Sequence, residues 1–314
     1  MKDPRQTTVF LSVGVFLVLA PFSFVLGQQI ADPNYTPMVN DPMHAHGSGS
    51  LVLIDEGHNN IHTKDGRYGP FASLIELDGY QVDSHKGAFS TESLTDADVL
   101  VVANSLNAVN NENWELPTLS AFTDTEIETV VDFVESGGGL FLIADHMPFP
   151  GAAAALAARF SIEFSNGFVL EFDDENQQVG PSIFQRAVGR IGEHAITNGR
   201  GDAEMIGQVA TFIGSAFPIT GNAVSLIHFG ENTVMLMPTV AWEFGENTSR
   251  TTVPGWSQGV ALEQGNGRVV IFGEAAMFTS QQRGDNAPSG MTSPQARDNQ
   301  QLLLNIIRWL SSDL

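Results

Sequence analysis

None of the 314 residues is cysteine. That absence excludes disulfides, a thiolate nucleophile and zinc–thiolate centres. Basic residues are scarce as well: 14 lysines and arginines stand against 36 aspartates and glutamates, a formal charge of −22. A surface of that sign repels phosphate backbones and anionic lipid, so nucleic acid is not an expected partner. Cation binding is compatible with the acidity, but so is a solvated acidic surface. Beyond Leu26 no apolar run is long enough to span a bilayer. What remains, 42% hydrophobic and 16% charged, is the composition of a folded globular chain.

At the start of the chain, Lys2 and Arg5 precede an apolar stretch from Val9 to Leu26, broken by Pro21 and followed by the small Gly27. The pattern predicts an export signal over residues 1–27, with an uncleaved membrane anchor as the alternative. A periplasmic or extracellular location follows from either. Residues 28–49 lack periodicity and read as a linker in which His44 and His46 are solvated. Residues 50–314 read as a single domain without internal repeats.

Within that domain, short apolar runs alternate with amphipathic stretches. Leu51–Ile54, Val99–Ala103, Leu140–Ala144 and Arg268–Phe272 are expected to be buried strands, with a shorter one over Tyr80–Val82. Helices are expected over Tyr68–Asp78, from Thr123 onward, over Gly151–Phe160 and over Gln295–Leu310. Thr123 and Glu126 have the spacing of a capping box, each able to bond the other's backbone amide. Strands and helices in this alternation imply right-handed crossovers and a mainly parallel sheet. Ala223–Phe229, Thr233–Met237 and Val240–Phe244 alternate like antiparallel strands, an elaboration of the second half. The expected fold is α/β, a flavodoxin-like three-layer sandwich.

The chemistry-bearing residues fall where the apolar runs stop. Asp55, Glu56 and His58 follow the first, Asn104 the second, Asp145 and His146 the third and Glu274 the last. Ligands of parallel α/β sheets bind beyond the carboxyl ends of the strands, so these positions predict one cleft. Asp145, His146 and Glu274 are the candidate catalytic groups, and Asp55, Glu56, Asn59 and Asn104 the candidate substrate contacts. His58 and His62, four residues apart, would share one face of a helical turn and are the candidate ligands of a divalent metal. The ordinary alternatives are that Asp145 and Glu274 cap the turns they begin and that His194 has a positional role. Trp114, Trp242 and Trp256 lie in irregular regions where an indole face can stack on a sugar or simply pack.

The Gly137-Gly-Gly139 turn and strand leading to Asp145, the segment Glu193-His-Ala-Ile-Thr-Asn-Gly199, the strand ending in Gly273-Glu274 and the terminal Asn305-Ile-Ile-Arg-Trp-Leu310 together resemble the class I glutamine amidotransferase-like superfamily. The nearest likeness is to its exported branch, related to gliding-motility transport proteins and to ThuA-like proteins. The resemblance covers Ser50 to Leu310. It implies the flavodoxin-like fold and, in members that hydrolyse glutamine, a cysteine on the turn where this chain has Asp145 and His146. A carboxylate there would form a labile anhydride, so glutaminase activity is not expected. Two functions stay open: a hydrolase or lyase acting on a polar small molecule or glycan, with or without a metal, and a non-catalytic envelope module that binds a glycan or protein partner.

Overall fold

Val99–Ala103 and Gly139–Ile143 carry no polar side chain to turn toward water, so both faces of each must be covered. In the computed structural model, which describes residues 30–282 and 288–314, they are neighbours in the middle of a seven-stranded sheet. In chain order its strands are β1 (Leu51–Asp55), β2 (Gln81–His85), β3 (Val99–Ala103), β4 (Gly139–Ile143), β5 (Val224–His228), β6 (Ser257–Gln264) and β7 (Gly267–Phe272). Their spatial order is β5-β6-β7-β4-β3-β1-β2. The pairings from β7 through β2 are parallel, and those of β6 with β7 and β5 are antiparallel.

Alternation along the strands divides the apolar side chains between two cores. Val52, Ile54, Val101 and Phe141 pack with α1 (Gly69–Leu77) and with Leu302–Leu310, the buried side of the terminal helix Asn299–Leu310. Leu53, Leu100, Val102 and Leu140 pack with Ile127 and Val131 of Asp124–Glu135 and with Ala152 and Leu156 of Phe149–Ala158. Helix Asp124–Glu135 begins as its sequence predicts: the Thr123 side chain accepts from the Glu126 amide while the Glu126 carboxylate accepts from the Thr123 amide. The protein is therefore a mixed α/β structure with helices on both faces of its main sheet.

The second half differs from the sequence reading. β5 joins the edge of the main sheet, whereas Thr233–Met237 pairs with Phe168–Phe172 and Ser249–Thr252 in a separate four-stranded sheet. Alternation marks a half-buried strand but does not name its partner. Val240–Phe244 is not a strand: Val240 makes one bridge to Glu115, and Trp242 turns the chain at φ 68°. Nor is Ile30–Gly49 a free tether. Ile30–Ala31 pairs with Gln281–Gln282, Tyr35, Val39 and Met43 pack on the core, and the ring Nε2 of His44 bonds Asp313 at 2.9 Å. The apolar side chains of this segment supply the reason, since burying them against the domain removes them from water. The expected export signal lies outside the described residues, among which no helix is long and apolar enough to cross a membrane.

Candidate functional site

Parallel strands β1, β3, β4 and β7 all end at the same edge of the sheet, and the loops there form two polar clusters. The loop after β1 crosses to the neighbouring strand end: Asn60 donates to the Ala103 carbonyl, Ile61 to that of Asn104, and Leu106 to that of His58. A positive φ of 49° at both Asn59 and Asn104 makes these turns, a conformation asparagine tolerates better than most residues.

The first cluster is centred on His58. Its Nδ1 lies 2.9 Å from both oxygens of Asp55, and its Nε2 lies 2.9 Å from Glu126 Oε1. Carboxylates on both sides make both ring nitrogens donors, so His58 is an imidazolium. Burial opposes that charge, but the hydrogen bonds and charges of Asp55 and then Glu126 outweigh it and raise the pKa. Both carboxylates are correspondingly held low, burial again opposing and the His58 bond prevailing. Phe89 and Phe122 cover the ring at centroid distances of 4.4 and 4.9 Å. Asp55 also accepts from the Gly57 amide and from Asn60, and Glu126 from the Phe89 amide and Thr123. The side-chain polar atoms of His58, Asp55 and Glu126 are all engaged, while His85 Nδ1 is buried 3.8 Å from Asp55 Oδ1 without a hydrogen bond.

The second cluster lies beyond β4 and β7. Asp145 Oδ1 accepts from the His146 amide at 2.8 Å, while Oδ2 has, among the described residues, only a long contact, 3.4 Å, with the Ala275 amide. Asn104 holds this turn, accepting from the Asp145 amide through Oδ1 at 2.9 Å and presenting its amide nitrogen to His62 Nδ1 at 3.3 Å. His146 Nδ1 lies 2.7 Å from the Met147 carbonyl, which can only accept; the proton is thus on Nδ1, and Nε2 is the open acceptor. The His146 ring stacks on Phe168 and is walled by Trp242, Phe149 and Trp114, at centroid distances of 4.7, 4.6, 5.7 and 6.0 Å. Trp242 keeps its left-handed backbone here; for a bulky residue that costs on the order of 1–3 kcal/mol and persists only where the surroundings impose it. Glu274 is fully buried behind Asp145, and burial followed by the Asp145 charge raises its pKa well above the usual carboxylate range.

No protein-family model matches this chain, and no curated protein does. Among solved structures, the mmIFT52 N-terminal domain aligns with a TM-score of 0.56 and 13% identity, over 83% of this chain and 97% of that one. A thua-like protein from Bacteroides uniformis aligns with a TM-score of 0.44 and 12% identity, over 88% of this chain and 94% of the other. Another from Parabacteroides merdae gives 0.42 and 11%, over 85% and 91% of the two chains. The likeness is one of fold.

The structure redistributes the candidate residues. Asp145, His146 and Asn104 come together beyond the ends of β3 and β4, with Glu274 buried within reach of the Asp145 charge. Glu274 faces inward: Oε1 accepts from the Ala276 amide at 3.0 Å and Oε2 from the Met277 amide at 2.7 Å, so it caps the turn that follows β7. Asp55 is buried against His58, Glu56 braces its loop by accepting from the Lys64 amide and from Ser84, and exposed Asn59 donates to the Leu106 carbonyl. Both Asp55 oxygens are engaged, whereas Glu56 Oε2 and Asn59 Oδ1 carry no hydrogen bond among the described residues. The paired-histidine metal site is not formed, because both nitrogens of His58 are bonded to carboxylates and His62 turns to Asn104 instead. Among the described residues no three His, Asp or Glu side chains converge as a cation cage. Trp114 and Trp242 flank His146; Trp256 packs against the core. Sequence reasoning missed Glu126 as a partner of His58, and it missed Arg67 and Tyr68, whose charge environments include Asp145. The capping box announced Glu126, but nothing local announced a partner 68 residues away.

Proposed function

We propose that the cleft at Asp145 and His146 binds a polar ring-shaped small molecule or glycan and acts on it by acid–base hydrolysis or elimination. The reading is supported above all by one juxtaposition: an imidazole whose Nε2 has no hydrogen-bond partner among the described residues adjoins a carboxylate with one nearly free oxygen, between two half-exposed tryptophans. Indole faces stack on sugar rings, and a carboxylate and an imidazole within reach of one ligand are the usual proton carriers. Asp145 is the proton carrier in this reading, His146 Nε2 accepts from a ligand hydroxyl, Asn104 positions the Asp145 turn, and Glu274 lies behind them with a pKa raised by burial and the Asp145 charge. Glutamine hydrolysis is not part of it, for want of a cysteine.

The parallel strand order β2-β1-β3-β4-β7 fits the flavodoxin-like arrangement, and ThuA-like structural neighbours fit an amidotransferase-like origin for the domain over residues 50–314. Export through residues 1–27 would place the activity in the periplasm or outside the cell. A second reading, a binding module for a glycan or an envelope protein, draws support from Glu274, both of whose oxygens are bonded to backbone amides and face no ligand.

Turnover of a panel of neutral and acidic glycosides by the full-length protein separates the two. Asp145→Asn is expected to lower kcat by about 100-fold or more, while unfolding free energy changes by no more than about 1–2 kcal/mol, the cost of a hydrogen bond. Silence of the unaltered protein toward the whole panel, or equal turnover by the variant, removes the acid–base reading and leaves the binding module.

A further inference from the structure

His194 has a positional role: its Nδ1 accepts from the Ile196 amide at 3.2 Å and caps the short helix Ala195–Asn198. An accepting Nδ1 puts the ring proton on Nε2. Nε2 has no hydrogen-bond partner among the described residues, and it is not closed off from solvent, the residue being only half-buried. Burial lowers the His194 pKa, Glu263 opposing and Arg268 assisting, which keeps the ring neutral at neutral pH. His194 therefore offers a spare neutral donor. It does so in a depression of about 180 Å³ whose lining includes Asn222, Val224, Ala261, Glu263 and Trp309.

Strand register gathers these groups on one face. Val224 of β5 lies directly opposite Ala261 of β6, and Glu263 of β6 directly opposite Arg268 of β7. Opposite residues, and alternate residues along one strand, share a face. Ala261 belongs to the core under the terminal helix, so Val224, Glu263 and Arg268 are on that face too. There Trp309 closes the depression, its ring 4.9 Å from that of His194 and 5.1 Å from the Arg268 guanidinium carbon. Glu263 and Arg268 stand where a cross-strand ion pair would form, yet Arg268 donates instead to the Trp309 and Leu314 carbonyls. The Glu263 carboxylate is left with no hydrogen bond or ion pair among the described residues. Asn222 donates from Nδ2 to the Glu263 carbonyl at 3.1 Å, which leaves its Oδ1 as a further open acceptor.

We propose that this depression is a second ligand site, selective for a carboxamide carried on a single planar ring. Its size sets the ring, since a cavity of about 150 Å³ holds one benzene molecule. Its polar groups set the substituent. An amide presents an acceptor and a donor side by side: the oxygen for His194 Nε2–H, and the nitrogen for the Glu263 carboxylate and Asn222 Oδ1, with the ring on Val224 beside the Trp309 indole. A carboxylate in the same place sets its charge against Glu263, and an amidinium leaves the His194 donor without an acceptor. Arg268 pairs with Gly139, the first residue of β4, so the depression lies at the edge of the sheet opposite Asp145. The inference stands apart from any reading of that cleft.

Calorimetry and histidine nitrogen NMR on the full-length protein, with benzamide, benzoate and benzamidine as probes, test the site. Benzamide is expected to bind at least about 10-fold more tightly than either charged analogue, the worth of one hydrogen bond, and to move the His194 Nε2–H resonance. His194→Asn keeps a side chain that caps helices well and removes the donor, so benzamide affinity should fall at least about 10-fold with the melting temperature unchanged. Glu263→Gln, at an exposed position, should weaken benzamide and narrow its advantage over benzoate. Absence of benzamide binding, equal binding of the three probes, or benzamide affinity unchanged in His194→Asn overturns the site. Should His194→Asn fail to fold, Glu263→Gln decides alone, and an undiminished preference for benzamide over benzoate in that variant overturns the site.

Discussion

The two polar clusters at the ends of the parallel strands are built from the same kinds of residue and have opposite characters. Around His58, two carboxylates share one imidazolium, whose two ring N–H groups are both bonded, under a cover of Phe89 and Phe122. Around Asp145, two carboxylates adjoin each other, one of them buried and driven toward its protonated form, and His62 and His146 each keep an unused donor or acceptor. A satisfied buried network fixes a fold, while unmatched groups held in place are what a ligand can complete. Composition would not have told the clusters apart; the partners of their central groups do, all of them engaged around His58 even though neighbouring His85 Nδ1 is not.

If that contrast is right, the largest loss of stability should come from the closed cluster. His58→Ala leaves Asp55 and Glu126 buried without a cation and should destabilise the protein by about 3–5 kcal/mol, as breaking a buried pair does, read by urea unfolding. A loss below about 1 kcal/mol, the worth of an exposed pair, would mean that the closed cluster does not hold the fold. The substitution should not act through the ligand site, so residual folded protein should bind ligands as before.

The clusters should also respond oppositely to pH. His58 has a raised pKa, so its contribution is complete below the unfolded value of about 6.5 and lost as pH rises through the folded value. Asp55 and Glu126 are lowered, so theirs is complete above about 4 and lost as pH falls through the folded values. The closed cluster is thus most stabilising in mildly acid solution. His62 runs the other way: burial, then the Arg67 and His146 charges, push it down to about 3, so stability is complete above about 6.5 and declines as pH falls toward 3. His62→Phe should remove up to about 1.4 kcal/mol per pH unit of that acid slope, and unfolding measured from pH 6.5 to 4 would show it. An unchanged slope would mean that His62 titrates normally.

The smallest effect on stability belongs to the wall of the open cluster. Trp242→Asn exchanges lost ring contacts for a residue at ease with positive φ, and a net change within about 1 kcal/mol is expected. Ligand affinity should nevertheless fall about 10-fold. If stability drops sharply and affinity does not, Trp242 is packing and the cleft has lost one of its supports.

Part of this was legible beforehand. The four buried parallel strands lie within a residue or so of their apolar runs, because a strand covered on both faces has little choice but to be apolar throughout. The Thr123–Glu126 box was legible because both partners lie on one helical turn. The strand pairing after Ser161 was not, since alternation specifies a face and not a neighbour. Val240–Phe244 alternates well, yet Trp242 adopts a left-handed turn, with Phe168, His146 and Phe244 among the side chains packed against it. Asp55 and His58, adjacent in sequence to Asn59 and Glu56, looked like part of the cleft until Glu126 arrived from a distant helix to close them off.

By itself, then, the sequence determined that no thiol chemistry occurs, that the surface is anionic, that a parallel sheet is buried, and that polar residues gather at its carboxyl edge. Those properties follow from composition and from periodicities within a few residues. Tertiary structure decided which of those polar residues neutralise one another and which stay open. That outcome depends on distances of about 3 Å between groups far apart in the chain, and nothing in the local sequence encodes them.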